Sequence, residues 1–255
     1  WVLAENFRRK SAIFSMIVWP YILTLFILFL GGFIGGFSAF ERRVGVHPAV
    51  FFITGSFLLM ISLIFFDDVA SRFYYDEWVG TLPYIIASPI SKFTLALTMG
   101  IPRFVINIFL GLTSLIPIYS YFMGLAGLYD AVVVILLSVF GSITFLTLAI
   151  VMASIVLISG GGWRVMNVIR PILLLLSGVM YPRFLLPISA KLISGFIPLA
   201  HTVEAIQVYM SIGGVTDYAL TLIGLASALA IIYTPISRFG LKVWERRRIR
   251  EGVKT

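Results

Sequence analysis

Residues 131–163 read AVVVILLSVFGSITFLTLAIVMASIVLISGGGW, thirty-three positions without a charge. A helix needs about 20 apolar residues to cross the core of a bilayer, and this stretch exceeds that. Working outward, uncharged runs recur at 11–40, 48–66, 104–129 and 218–237, with a weaker one at 165–181 that carries Arg170 near its start. The chain of 255 residues is 60% hydrophobic and 12% charged, with a mean hydropathy of +1.05. Soluble domains carry about 25% charged residues, so lipid is the expected solvent. Backbone polar groups in lipid must be satisfied within their own segment, which selects helices. No run shows the alternating pattern of a membrane barrel strand. The expectation is an all-α integral membrane protein, one domain over 1–255, with six transmembrane helices near 13–38, 48–66, 101–122, 131–158, 165–181 and 218–238.

Lys and Arg set the orientation, because cytoplasmic loops collect them. With six spans and both termini cytoplasmic, fifteen of the 19 Lys and Arg lie inside, and only Arg42, Arg43, Arg183 and Lys191 lie outside. The expected location is the plasma or inner membrane. Attraction to anionic lipid accounts for the net charge of +8, so the lipid bilayer is an expected partner and nucleic acid is not. There is no cysteine, hence no disulfide or thiolate metal site. The first apolar run is too long for a signal-peptide core and shows no cleavage site. An opening on Trp1 rather than Met suggests that a few starting residues are missing.

Chemistry-bearing motifs are scarce. His47 and His201 have no second ligand at metal spacing. Neither a G-x-S-x-G elbow nor a phosphate loop occurs; Gly160-Gly161-Gly162-Trp163-Arg164 supplies none. No catalytic residue and no metal site is expected, so the chain reads as a transport component rather than an enzyme. The acids Asp67, Asp68, Asp76, Glu77, Asp130, Glu204 and Asp217 fall at span edges or in loops. An ion-coupled carrier or channel acting alone would need one at mid-membrane, and it stands as the alternative reading. A non-transporting membrane scaffold or sensor is a further rival.

The connection between the second and third runs contains WVGTLPYIIASPISK at 78–92. Thr81 suits an N-cap, and Pro83 then falls in the first helical turn, where its missing N–H costs nothing. Leu82, Ile85 and Ile86 share one apolar face, and Pro89 biases Ser88 out of helical geometry. This spacing predicts a short capped helix with its apolar face exposed to the cytoplasm, lying on headgroups or filling a partner's groove. In the first run Trp19, Phe26, Phe33 and Phe40 recur every seven residues, with Phe29 and Phe37 close to that face. The stripe reads as packing or lipid contact, with Phe26, Phe29 and Phe33 as candidates for lining a pathway. Trp1–Lys10 reads as an amphipathic helix on the inner leaflet. Residues 182–207 hold apolar pieces too short to cross, broken by Pro182, Pro187 and Pro198.

Glu77, Gly80, Thr81 and Leu82, followed by Ser88-Pro89-Ile90, resemble the cytoplasmic loop of type-2 ATP-binding cassette (ABC) permeases. Downstream, Ser177-Gly178-Val179-Met180-Tyr181-Pro182, Leu186-Pro187, Ile197-Pro198-Leu199 and Val203-Glu204-Ala205-Ile206 are similar to that family's signature around the fifth span and the outer hairpin. With the order of the motifs, the span count and the length, the resemblance covers nearly the whole chain. It implies the permease subunit of an exporter-like transporter for a lipid, polysaccharide, drug or similar substrate. By this resemblance Glu77, Gly80, Thr81, Leu82, Pro83, Ile85, Ile86, Ser88 and Pro89 form a coupling helix that contacts a separate ATPase subunit. ATP and Mg would sit in that partner, with no cofactor in this chain, and a second permease subunit would complete a homo- or heterodimer. Pro182, Pro187, Pro198 and Glu204 would belong to an outer re-entrant helical hairpin between spans five and six. Pro83 stands where the family usually has an acid.

Overall fold

The computed structural model describes residues 10–34, 36–159 and 162–251, and every regular element among them is a helix. Residues 1–9, where the amphipathic N-terminal helix is expected, lie outside the described residues. In chain order the helices are α1 (Lys10–Ile34), α2 (Phe37–Val44), α3 (Pro48–Val79), α4 (Leu82–Ala87), α5 (Lys92–Ser159), α6 (Gly162–Ser177), α7 (Ile188–Ser194), α8 (Pro198–Ile212) and α9 (Asp217–Glu251). A single 3-10 turn, Arg183–Leu185, precedes α7.

The 68 residues of α5 would extend about 100 Å as one rod, and they do not. Gly124 adopts φ 66° and ψ −149°, a region essentially reserved for glycine, and the chain doubles back there. The reversal brings Gly111 against Ile135: a Cβ built on Gly111 would stand 3.1 Å from the Ile135 side chain and 2.6 Å from the Phe57 ring. Gly127 likewise lies against the Tyr119 carbonyl. The apolar run that continues through 131–159 is therefore the second arm of a helical hairpin.

α3 runs along this hairpin. Phe51, Ile53, Phe57, Leu58 and Ile61 are buried with Leu110, Leu115 and Tyr119 of the first arm and Phe145, Ala149 and Ile150 of the second. Thr54 and Tyr119 hydroxyls meet at 2.7 Å inside the core. α1 joins through Tyr21, whose hydroxyl donates to the Thr113 carbonyl at 2.6 Å, and through Thr24, whose hydroxyl meets that of Ser56 at 3.1 Å. α8 closes the core with Leu199, Ala200, Val203 and Ile206. Thr202 of α8 packs so near Gly141 that a Cβ there would stand 2.8 Å from its methyl group.

Contacts between distant residues sort the molecule into two ends. At one end Phe73 meets Trp244 edge-on at 5.2 Å, Arg247 donates to the Ile158 carbonyl at 2.8 Å, and Arg248 pairs with Glu77. At the other, His47 stacks on Phe122 at 4.1 Å, Tyr209 donates to Asp130 at 2.7 Å, and Gln207 donates to the Gly178 carbonyl at 2.9 Å. The first end holds Lys92, Arg238 and Lys242 around one cleft, with Arg247 and Arg248 in the contacts just given; the second holds Arg43 and Arg183.

Among the described residues two helical stretches are long and apolar enough to cross a membrane, Ile108–Ser159 and Asp217–Arg250. A third qualifies if Phe37–Val44 and Pro48–Ser62, bent 74° apart, count as one. Several boundaries differ from the sequence reading: α1 ends at Ile34 rather than near 38, and α9 runs past 238 to Glu251. α3 continues thirteen residues past Phe66 to Val79, reaching about 48 Å in all, longer than the roughly 30 Å of a bilayer core. α6 has only 16 residues, about 24 Å.

Candidate docking site

The junction between α3 and α4 is built by its backbone. Gly80 adopts φ 79° and ψ 14° and donates its N–H to the Asp76 and Glu77 carbonyls, ending α3. Only a residue that tolerates the left-handed region closes a helix in this way. Thr81 N–H donates to the Asp76 carbonyl at 2.8 Å, and its hydroxyl donates to the Asp76 carboxylate at 3.0 Å. Thr81 thus holds the N-cap position of α4, but its side chain reaches back to α3 rather than capping, which corrects the expectation of a side-chain cap. Pro83 occupies the first turn as expected. Ser88 turns extended, φ −64° and ψ 139°, ahead of Pro89.

The apolar face of α4 points inward. Leu82 has no exposed surface, and Ile85 and Ile86 pack against the core. The expectation that these three face the cytoplasm is therefore corrected: the i, i+3, i+4 stripe is the face by which a six-residue helix adheres to its own bundle. What stands outward is Tyr84, 79% exposed, with Trp78 at 79%, and Val79 and Ile90 about half exposed. Tyr75 adds to the patch, its ring 6.2 Å from Trp78. Ala87 and Pro89 are exposed as well.

Two ion pairs brace this loop against α9. Glu77 receives the Arg248 guanidinium on both carboxylate oxygens, at 2.8 and 2.9 Å, a fork geometry that fixes direction as well as distance. Lys92, almost fully buried, donates to the Ser88 and Ile90 carbonyls at 3.0 and 3.2 Å and pairs with Glu245 at 3.3 Å. Its ammonium therefore satisfies the carbonyls left over where α4 ends and links them to α9. Arg238 lies over the Phe93 ring at 4.8 Å. Neither Glu245 nor the pairing of Arg248 with Glu77 stood out in the sequence. The missed signal is the acid at 245, directly before Arg246, Arg247 and Arg248.

At the opposite end the segment after α6 is held by a polar cluster. Arg183 is buried, donating to Glu204 at 2.6 Å and to the Ser194 hydroxyl at 2.8 Å, with its Nη1 3.3 Å from His201 Nδ1. A guanidinium can only donate, so His201 accepts at Nδ1 and its Nε2–H donates to the Gly195 carbonyl at 2.9 Å. Burial lowers the His201 pKa from its ordinary 6.5, and the neighbouring Arg183 charge adds to this; the Gly195 carbonyl and Glu204 act oppositely. Tyr218 donates to the other Glu204 oxygen at 2.8 Å. Pro182 precedes the 3-10 turn, Pro187 precedes α7 and Pro198 begins α8. All four residues expected for the hairpin thus shape one segment, with Glu204 as its anchor rather than a free acid.

No protein-family model, curated protein or solved structure matches this chain. The candidate site consequently rests on geometry. Of the pathway candidates, Phe26 and Phe29 lie on a largely exposed face of α1 with Trp19, Ile22 and Leu25. The Phe33 side chain lies outside the described residues. Phe40 leaves the stripe and packs against Phe51 and Phe52 at 5.2 Å. No group of three His, Cys, Asp or Glu that could hold a metal occurs among the described residues.

Proposed function

We propose that this chain is the membrane-spanning permease subunit of a type-2 ABC transporter, exporter-like, driven by a separate ATPase subunit. The observation that carries the reading is the exposure of the aromatic Trp78 and Tyr84 and of Ile90 along a loop braced by two ion pairs, at the end richest in Lys and Arg. Aromatic side chains in a rigid setting are the residues that dominate protein interfaces. Six crossings follow if α1, α3, the two arms of α5, α6 and α9 each traverse once. Both termini then lie with the patch on the cytoplasmic side, as the positive charge favours. The segment at 182–207 becomes an outer hairpin whose exposed Ile188, Leu192 and Ile193 dip into lipid.

In this reading the ATPase seats on Tyr84 and Trp78 and not on Leu82, Ile85 or Ile86. Because Lys92 and Glu77 tie the loop to α9, closure of the ATPases moves α3, α4 and α9 as one body. The population then shifts between inward-open and outward-open arrangements. A homodimeric or heterodimeric permease pair completes the unit, with the exposed α1 face available to lipid or to the second subunit.

The test is capture. Wild-type chain solubilised from native membranes in mild detergent should bring down a phosphate-loop ATPase. Tyr84→Glu combined with Trp78→Ala should cut that recovery about tenfold or more, the effect expected of interface hot spots, at unchanged yield and thermal stability. Equal recovery from the variant, or no ATPase from the wild type, contradicts the proposal.

A further inference from the structure

At the end away from the docking patch, α2, the start of α3 and the Arg183–Leu185 turn enclose an open cleft of about 490 Å³. Its walls are Phe37, Phe40, Val44, Phe52, Phe184 and Leu185, and the one charged side chain lining it is Arg43. The size falls within the roughly 300–1,000 Å³ of ligand sites, which pair apolar walls with a few polar groups that orient the ligand.

α2 explains both walls and cation. Phe37, Phe40 and Val44 share one side of the helix, and Glu41 lies about 200° from Arg43 around the axis, so no acid opposes the guanidinium in the cleft. Arg42 is engaged otherwise, donating its Nε to the Ser38 carbonyl at 3.1 Å. α2 meets α3 at 74°. When α3 crosses the bilayer, α2 therefore lies near its plane, apolar side inward, at the depth where headgroups meet acyl chains. Phe184 and Leu185 on the rim of the cleft are exposed apolar side chains, as are Ile188 and Leu192 that follow in the chain.

We propose that this cleft binds one anionic phospholipid, an acyl chain against Phe40 and Phe52 and the headgroup phosphate on Arg43. Arginine's planar fork matches phosphate oxygens, and a lone cation over apolar walls selects an anionic amphiphile over a zwitterionic one. The proposal rests on the membrane-spanning part of the reading above and does not need the ATPase.

Native mass spectrometry of the detergent-purified full chain, incubated with phosphatidylglycerol or phosphatidylcholine of identical chains, tests it. Wild type should retain one phosphatidylglycerol with a preference of about tenfold, the size of one charge-assisted hydrogen bond. Arg43→Gln should erase the preference while leaving some retention of both lipids. Ala39→Phe, at a lining position, should abolish retention, and Arg42→Gln should behave as wild type. An unchanged preference in Arg43→Gln, or unchanged retention in Ala39→Phe, overturns the proposal. So does displacement of the lipid by millimolar inorganic phosphate alone, which would make this a site for the free anion. Capture of the ATPase at Tyr84 is read on the same preparations, so failure there with lipid retained separates the two ideas.

Discussion

Replacing Leu82 with Ala removes a side chain with no exposed surface and should cost about 2–5 kcal/mol. Tyr84→Ala, two residues on, should change stability by no more than about 0.5 kcal/mol, as surface substitutions do. Thermal denaturation in detergent reads both; similar losses would contradict the inward orientation of α4. His201 adds a pH signature. Its folded pKa is lowered, so a proton binds the unfolded state first. The stability this contributes is present above pH 6.5 and is lost as pH falls from there through the lowered folded value. The melting temperature should therefore drop on acidification from about pH 7.5 to about 5.5 and drop less in His201→Gln. Equal acid sensitivity in both proteins would remove His201 as the cause.

At the scale of elements, the hairpin of α5 depends on one backbone conformation. Nothing lies within 4 Å of a Cβ added at Gly124, so Gly124→Ala acts through backbone strain alone and should cost about 1–3 kcal/mol. An unchanged melting temperature would place the reversal elsewhere. The helices themselves were legible, because apolar runs of about twenty residues leave the chain no other way to satisfy its backbone in lipid. Boundaries were less so: α3 keeps its geometry through Asp67–Val79, where charge suggested a loop. The stripe of Leu82, Ile85 and Ile86 was legible as a helical face, but a periodicity states which residues share a side and not what that side meets. The braces on the loop were illegible for a different reason. Glu77 and Arg248 are 171 residues apart, and only the folded chain brings them together.

The whole molecule has two polar ends of unequal charge, with exposed Trp78 and Tyr84 at the basic end and the polar cluster of Arg183, His201 and Glu204 at the other. If the chain crosses a membrane six times, those ends face opposite compartments. The absence of native cysteine makes this directly measurable with a membrane-impermeant thiol reagent. Single cysteines at Ala87, beside the docking patch, and at Leu125 and Val215, at the opposite end, are all exposed positions. In intact cells the Leu125→Cys and Val215→Cys proteins should be labelled and the Ala87→Cys protein should not, becoming reactive only after permeabilisation. Labelling of Ala87→Cys and Val215→Cys from the same side would contradict the account.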